Sequence, residues 1–452
     1  MKKIILFGTL SLSYSALCAD LAEIFKQSEA HDPQLSAARH TLDASMEGKK
    51  QAFSAFLPTI NSSIGRNFGK NKNKSFFSNQ PATYSRSESW NVSLSQTLYN
   101  HANYQNYHIA ELQILKSQAD YTTSYQDFIL RVAQSYFNLL AAKDSLVFSK
   151  AEEKAIQRQL DQAEQRFEVG LAAITDVHEA RARYDSARAS VILAQNVLDD
   201  SKEALFEMSQ KYYQQFDIVP DDLDYSSFKL SPMEAYQKKA ITQSPEFIAA
   251  KVAKDIAEKQ IEVSRAGHYP TLALSFGRNH GVSKDNIFSQ FNPQTGAVEQ
   301  FNAGDSISDS NSVALSLNVP IYAGGRTQSQ VRQSVHNHKA AMDRYEQARR
   351  GVIRKVRNAF HGTLAAKSSV EARKQAMISA QSGLEATQAG YEVGTRTIVD
   401  VLNSQRGLYQ AQRDYSKAKY DYFIKYLSLK RAAGDLSEKD ILTINKILQT
   451  HS

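Results

Sequence analysis

Two short segments place acidic, basic and aromatic side chains around a glycine. The sequence FEVG that ends at Gly170 matches YEVG ending at Gly394, at an offset of 224 residues. Glycine adopts the left-handed backbone that closes many helices, so Gly170 and Gly394 predict the tips of two helix turns. The helical pattern resumes at Asp176 and Asp400, either of which could cap the new helix. With an arginine nearby, such carboxylates can form charge-assisted ion pairs.

The other groups that could do chemistry form no recognisable catalytic or ligand set. The segment from Gly65 to Lys70 is one residue short of a phosphate-binding loop and has no Ser or Thr after its lysine. His336 and His338 are two residues apart, which on a helix points them to different faces. No Ser/His/Asp or paired-carboxylate grouping emerges. We therefore expect no enzyme activity, no cofactor and no metal site.

The start of the chain predicts export. Lys2 and Lys3 precede an apolar run that closes at Ala19, so residues 1–19 are typical of a signal peptide. The single cysteine, Cys18, lies inside it, which leaves the mature chain without thiol chemistry. The net charge of +7 is spread among nearly as many acids, which argues against a nucleic-acid partner.

The rest of the chain repeats one unit twice. The segment from Leu57 to Gly69 aligns with the segment from Tyr269 to Gly281 at an offset of 212, and the turn segments align at 224. Residues 20–231 and 232–452 are therefore predicted to be two structural repeats, the second ending in a C-terminal equatorial segment.

Each repeat first predicts two strands. Alternating apolar and polar residues indicate strands at about 58–69 and 88–99, and at about 270–281 and 311–322. At 10 to 12 residues they are about long enough to cross an outer membrane when tilted. Their apolar face, which we expect to contact lipid, contains Trp90, Val92, Leu94, Val313, Leu315, Leu317 and Val319.

A very long helical pattern follows each strand pair. From about Asn103 to Glu168 no proline interrupts it, and the apolar residues recur at the three- and four-residue spacing of a coiled coil. This seam contains Leu112, Leu115, Ala119, Thr122, Tyr125, Ile129, Val132, Tyr136, Leu139, Ala142 and Leu146. The fold class is thus mainly α, with a four-strand membrane β contribution.

Four strands cannot close a barrel by themselves. An open edge in lipid leaves backbone groups unpaired at several kcal/mol each, so other copies must complete the sheet. Two copies would give eight strands and a filled interior, whereas three would give twelve and leave a lumen.

The turn segments at 166–177 and 391–402 are similar to the paired helix-turn signatures of the TolC family of outer-membrane efflux proteins. The paired Leu-Pro-Thr and Tyr-Pro-Thr segments, the YAGG sequence that ends at Gly325 and the duplication extend this resemblance over nearly the whole mature chain. It implies a homotrimer in outer-membrane lipid, with a twelve-stranded barrel and a helical tunnel through the periplasm. The channel would serve multidrug efflux and type I secretion, and a periplasmic adaptor and an inner-membrane exporter of the RND, ABC or MFS type would open it.

The resemblance also implies a gate at the turns. Asp400 falls on the first position of a carboxylate ring, and Asn403 occupies the second, where the family pattern has aspartate. The network that holds the inner helix pair against the outer pair falls on Thr175, Asp176, Tyr391 and Arg396, with a possible link between Arg396 and Asp176.

Simpler interpretations stay open for each of these residues. Asp176 and Asp400 could only cap helices, Arg396 could be a solvated charge beside a turn, and Tyr391 could be ordinary packing. For the whole chain, the alternative is a soluble periplasmic coiled-coil adaptor, although an adaptor has no need of membrane-length strands with one apolar face.

Overall fold

The computed structural model describes residues 18–71, 74–75, 78–79, 83–220, 223, 225, 230–284, 287–302 and 304–448. Of the predicted signal segment, residues 1–17 lie outside this description. The helices are α1 (Leu21–His31), α2 (Pro33–Ser54), α3 (His101–Glu168), α4 (Ile174–Ser209), α5 (Met233–Gln243), α6 (Pro245–Arg265), α7 (Arg326–Glu392), α8 (Ile398–Ala432) and α9 (Glu438–Asn445). A short 3-10 turn, Ala266–His268, follows α6.

Among the described residues, four long strands form one sheet and six shorter strands form three separate pairs. The long strands are β2 (Thr59–Asn71), β5 (Thr83–Tyr99), β7 (Thr271–Lys284) and β10 (Ser306–Asn318). The short ones are β1 (Cys18–Ala19), β3 (Lys74–Ser75), β4 (Ser78–Asn79), β6 (Gln215–Phe216), β8 (Ile287–Asn292) and β9 (Ala297–Asn302). The order α-α-β-β-α-α of the long elements therefore occurs twice along the chain.

The chain divides into two compact units that do not follow the two predicted repeats. One unit contains residues 1–42, 117–251 and 345–452, and the other contains residues 43–116 and 252–344. Each unit therefore takes residues from both halves of the chain. The first unit contains the helix turns, and the second contains the four-stranded sheet.

The first unit is held by aromatic packing between α3 and α8. Tyr136 and Phe137 of α3 and Phe423 of α8 are fully buried, and the rings of Phe137 and Phe423 stack with centroids 5.4 Å apart. The phenol of Tyr136 donates a hydrogen bond to the carbonyl oxygen of Asp217 at 2.7 Å. Burial of such large side chains contributes about 2 to 3 kcal/mol each, so this cluster fixes the helices that carry the turns.

The sheet of the second unit is antiparallel, in the order β10-β7-β5-β2. Cross-strand register places Ile60 opposite Leu94, Leu94 opposite Phe276, and Phe276 opposite Val313. Directly opposed residues share a face, so one apolar face crosses all four strands. This apolar face contains Ile60, Ile64, Trp90, Val92, Leu94, Leu272, Leu274, Phe276, Val313, Leu315 and Leu317.

The other side of the sheet, the hydroxyl face, is built from small uncharged residues. In the described residues of the four strands it carries only Ser, Thr, Asn, Gly and Ala, as in the row Ser63, Asn91, Asn279 and Ser310. The apolar face also carries Ser62, Gln96, Arg278, His280 and Asp309, but its large apolar side chains have no counterpart on the hydroxyl face of the described strands, so a one-residue slip would exchange two dissimilar surfaces.

The last strand lies four to five residues earlier than the sequence pattern indicates, since β10 is Ser306–Asn318 and the pattern predicts about 311–322. β10 ends at Asn318, although the pattern predicts a strand to residue 322. Pro320 has no amide hydrogen to donate to the ladder, and Val319 therefore lies one residue beyond the strand. Val319 is still about half exposed. Across the described residues, we find no helix apolar enough over a sufficient length to cross a membrane.

Candidate functional site

The two glycine turns have the same backbone geometry. Gly170 and Gly394 have φ of 77° and 78°. The amide of Leu171 bonds the carbonyl of Arg166 at 2.8 Å, and the amide of Thr395 bonds the carbonyl of Gly390 at 2.8 Å. With the Gly170 and Gly394 amides bonded to the residues three positions earlier, each turn is a Schellman motif. Both tips are exposed, as turns that present groups to a partner or a pore must be.

The helices that leave these turns begin differently. α4 has Ala173 as its N-cap and no side-chain cap, whereas α8 has Thr397 as its N-cap. Asp400 completes a capping box: its Oδ2 accepts from the backbone N–H and from the hydroxyl of Thr397, both at 3.0 Å. Thr397 is therefore the N-cap of α8, and Asp400 is the third residue of the helix, whose side chain completes the cap.

The cap also controls the charge of Asp400. Hydrogen bonds from the backbone and side chain of Thr397, and the nearby Arg396 guanidinium, hold the pKa of Asp400 below its ordinary value. The carboxylate stays ionised at neutral pH and into mildly acidic solution. Asp400 therefore takes part in capping α8, and its carboxylate keeps its negative charge there.

Tyr391 joins the two turns through a contact that the sequence pattern does not reveal. The guanidinium carbon of Arg166, in the last turn of α3, lies 4.7 Å from the ring centroid of Tyr391 near the end of α7. The ring also packs against a buried apolar cluster that includes Ala163, Val177 and Ile398. A cation over a tyrosine face contributes about 0.5 to 2 kcal/mol, so this contact ties α3 to α7 at the turns.

Asn403 links a second pair of helices. Its Oδ1 accepts a hydrogen bond from Nη2 of Arg183 in α4 at 3.5 Å, and Nε of Arg183 lies 3.4 Å from Glu179 Oε1. Glu179 is the counterpart of Asn403 at the 224-residue offset. Arg183 therefore lies between Glu179 of the first predicted repeat and Asn403 of the second.

Three of the predicted network residues are not brought together. In the part of the chain that the structure describes, Asp176 and Arg396 form neither an ion pair nor a side-chain hydrogen bond with each other, their backbone amides bond Ala173 and Gly390, and Thr175 is exposed. The Arg396 stem instead folds over Gly390, where an added Cβ would lie 2.8 Å from Arg396 Cγ. Arg396 is exposed, and its guanidinium is near enough to Asp400 to lower the pKa of that carboxyl.

Sequence reasoning missed Arg166, Arg183 and Thr397. Arg166 aligns with Gly390 at the offset of 224 residues, so no second basic residue at the matching position pointed to it. Thr397 could have been found, because a Thr followed three residues later by Asp400 is a helix-start signal. Within the described residues, no group of three or more His, Cys, Asp or Glu side chains could hold a metal ion.

Comparison with known proteins gives a consistent set of relatives. Residues 24–209 and 237–435 match the family model described as "Outer membrane efflux protein". The chain is 38% identical over 439 residues to outer membrane protein TolC of Vibrio cholerae, covering 97% of this chain and 95% of the relative. It is 25% identical to the alkaline protease secretion protein AprF of Pseudomonas aeruginosa, covering 96% and 89%. The solved structure of the outer membrane protein VceC from Vibrio cholerae has the same fold, with a TM-score of 0.70, 17% identity and coverage of 92% and 96%.

Proposed function

The chain belongs to the outer membrane efflux protein family, and we propose on that premise that three copies of it form one continuous duct. The protein is an outer-membrane channel for efflux and protein secretion, with a tunnel in the periplasm. In the proposed trimer the sheets close into a twelve-stranded barrel in the outer membrane, and the long helices line the periplasmic tunnel.

The observation that carries the assembly is the open sheet. Among the described residues, neither β2 nor β10 has a strand partner on its outer edge. The four strands alternate in direction, so β10 of one copy can pair antiparallel with β2 of the next, and the ring closes without a break in the pattern. The apolar face then contacts lipid, and the hydroxyl face lines the lumen.

The same trimer explains why Arg396 and Asp176 do not meet within a chain. We infer that the exposed Arg396 guanidinium reaches Asp176 and Thr175 of a neighbouring copy, while the Arg166–Tyr391 contact acts within one copy. Both contacts hold the inner helix pair (α7 and α8) against the outer pair (α3 and α4), and both must break when the entrance opens.

In the proposed trimer, the entrance carries a ring of negative charge, because the cap at the start of α8 keeps Asp400 ionised. Three copies of Asp400 give three carboxylates, and Asn403 adds none, so cation binding is weaker than in a ring with two acids from each copy. The entrance is opened by a periplasmic adaptor and an inner-membrane exporter of the RND, ABC or MFS type. The doubled element order supports one ancestral unit, duplicated as residues 20–231 and 232–452.

Two measurements test the assembly. Native mass spectrometry in detergent should give a homotrimer, and the trimer should insert into planar bilayers with a defined unit conductance. A folded monomer in detergent would contradict the duct. Fractionation of cells tests the remaining alternative, because a soluble periplasmic adaptor would not partition with outer-membrane proteins.

A further inference from the structure

The apolar face of the sheet ends in a group of basic and aromatic residues. Towards the ends of the strands remote from α2 and α3, the same face carries Arg66, Lys70, Arg86 and Lys284, together with Phe68 and Tyr84. We call these six residues the basic belt. Glu88 is the one acid among the described rows from Tyr84 to Glu88, so four cations face a single carboxylate.

The contacts in the belt leave its positive charge incompletely balanced. Nε of Arg66 and Nη2 of Arg86 both approach Oε1 of Glu88, at 3.0 and 2.8 Å. The same two guanidinium groups lie 5.2 and 5.7 Å from the ring centroid of Phe68. One carboxylate oxygen therefore serves two guanidinium groups, and each keeps donors that can bind another anion.

Arg86 and Lys284 show where that anion would bind. They are directly opposed on β5 and β7, on the same face. Like charges in this position destabilise a sheet. The side chain of Arg86 is 35% exposed, so the pair is open to the surroundings of the sheet. An anionic group between the two side chains would remove the repulsion.

The height of the belt on the sheet points to a membrane surface. Trp90 and Tyr99 are nine residue steps apart on β5, about 23 Å of height for a strand tilted by about 40°, and on the neighbouring strand Arg278 interrupts the apolar face one row inside Trp90. That height is close to the roughly 25 Å apolar band of outer-membrane barrels. Trp90, a residue type enriched at membrane interfaces, marks the upper end of this stretch, and Arg278 stacks on it at 5.8 Å. The belt begins at the next row.

We propose that the basic belt binds the phosphate groups of a multiply phosphorylated lipid in the leaflet on the strand-connection side of the barrel. The lipid chains cover the apolar face, the phosphates pair with Arg86, Lys284, Arg66 and Lys70, and Phe68 and Tyr84 lie at headgroup level. The inference rests on the proposed barrel, because only a closed ring would turn this face towards lipid.

The test compares lipid binding by the full-length trimer in detergent, measured by native mass spectrometry. The probes are bisphosphorylated lipid A and phosphatidylcholine. The wild-type protein should retain lipid A and not phosphatidylcholine. Arg86→Gln with Lys284→Gln should weaken lipid A binding about tenfold or more. Because this variant removes a like-charge pair, the trimer should remain intact. Arg326→Gln with Arg332→Gln removes two exposed cations from α7 and is the matched control, which should bind as the wild type does.

The outcomes separate this site from the proposed function. A conducting wild-type trimer without preference for lipid A, or a belt variant that binds it as well as the wild type, overturns the lipid site and leaves the duct intact. A wild-type protein that forms no trimer overturns both, because the belt would then face no membrane.

Discussion

The guanidinium carbon of Arg166 lies 4.7 Å from the centre of the Tyr391 ring, joining the end of α3 to the end of α7. This contact uses the face of the ring, whereas a hydrogen bond would use the phenol. A cation binds the face of phenylalanine nearly as well as that of tyrosine, and leucine offers no such face.

Substitutions of Tyr391 should therefore distinguish the contribution of its ring from the contribution of its hydroxyl. We expect Tyr391→Leu to raise the conductance of single channels in planar bilayers, because α7 is no longer tied to α3. Tyr391→Phe should raise it less. Equal conductance in the two variants would show that the ring face does not hold the entrance closed.

A charge exchange tests the proposed link between copies. Arg396→Asp and Asp176→Arg should each raise single-channel conductance, since each leaves two like charges where a pair is proposed. The double variant restores opposite charges and should return conductance towards the wild-type level. Arg357→Asp, at an exposed position of α7 remote in sequence from the turn, is the control and should have no effect. Additive increases in the double variant would exclude the link.

The close approach of Arg396 to Gly390 gives a steric test. Gly390→Ala would place a Cβ 2.8 Å from Arg396 Cγ, and the arginine would have to move. We expect a conductance increase, as for Arg396→Asp. Gly383→Ala, two turns earlier on α7, meets nothing within 4 Å and should behave as the wild type. A wild-type conductance for Gly390→Ala would mean that the position of the Arg396 stem does not matter.

The Asp400 ring should determine cation block of the entrance. Asp400→Asn should abolish most of the block by divalent or trivalent cations from the periplasmic side, since Asn403 is already neutral. In the wild type, the pKa of Asp400 is lowered, so block should persist to below the ordinary aspartate pKa and disappear as pH falls through the lowered value.

Thr397→Ala supplies the control for this titration. It removes the hydroxyl donor but keeps the backbone donor, so the pKa of Asp400 should rise part of the way and block should be lost at a higher pH. Block should survive unchanged at neutral pH. Cation block that is as strong in Asp400→Asn as in the wild type would place the constriction elsewhere.

Neighbouring residues of β10 test the assignment of the two faces. Leu315→Arg puts a charge on the apolar face and should cost about 2 to 4 kcal/mol, reducing the yield of trimer in native gels. Ser316→Arg puts the same charge on the hydroxyl face and should assemble normally. The same trimer yield for both variants would show that the faces are misassigned.

The long helix α3, the glycine turns and the faces of the strands could be predicted from the sequence, because each depends on residues that are neighbours along the chain. The predicted α3 seam residues Ile129, Val132 and Tyr136 are buried, although Leu115 is half exposed. Gly170 and Gly394, which the sequence predicts to form helix turns, both have positive φ. Strand alternation also predicts which residues share the apolar face.

Contacts between distant segments could not be obtained in this way. The packing of Arg166 on Tyr391 depends on how α3 and α7 lie beside each other, and no spacing along one helix encodes that. The partner of Arg396 is a different case. The link to Asp176 that the family resemblance implies is not formed inside one folded chain, and only an assembled complex can test it.

The hydroxyl face gives the proposed barrel wall a simple consequence for permeation. A wall of Ser, Thr and Asn side chains exchanges hydrogen bonds with water and cargo but carries no fixed charge to attract one ion over another. Cations, anions and unfolded polypeptides should pass this section with similar ease. We therefore expect any preference for one sign of charge to arise outside this section, for example at the proposed Asp400 ring, and Ser316→Arg should create such a preference in the barrel itself.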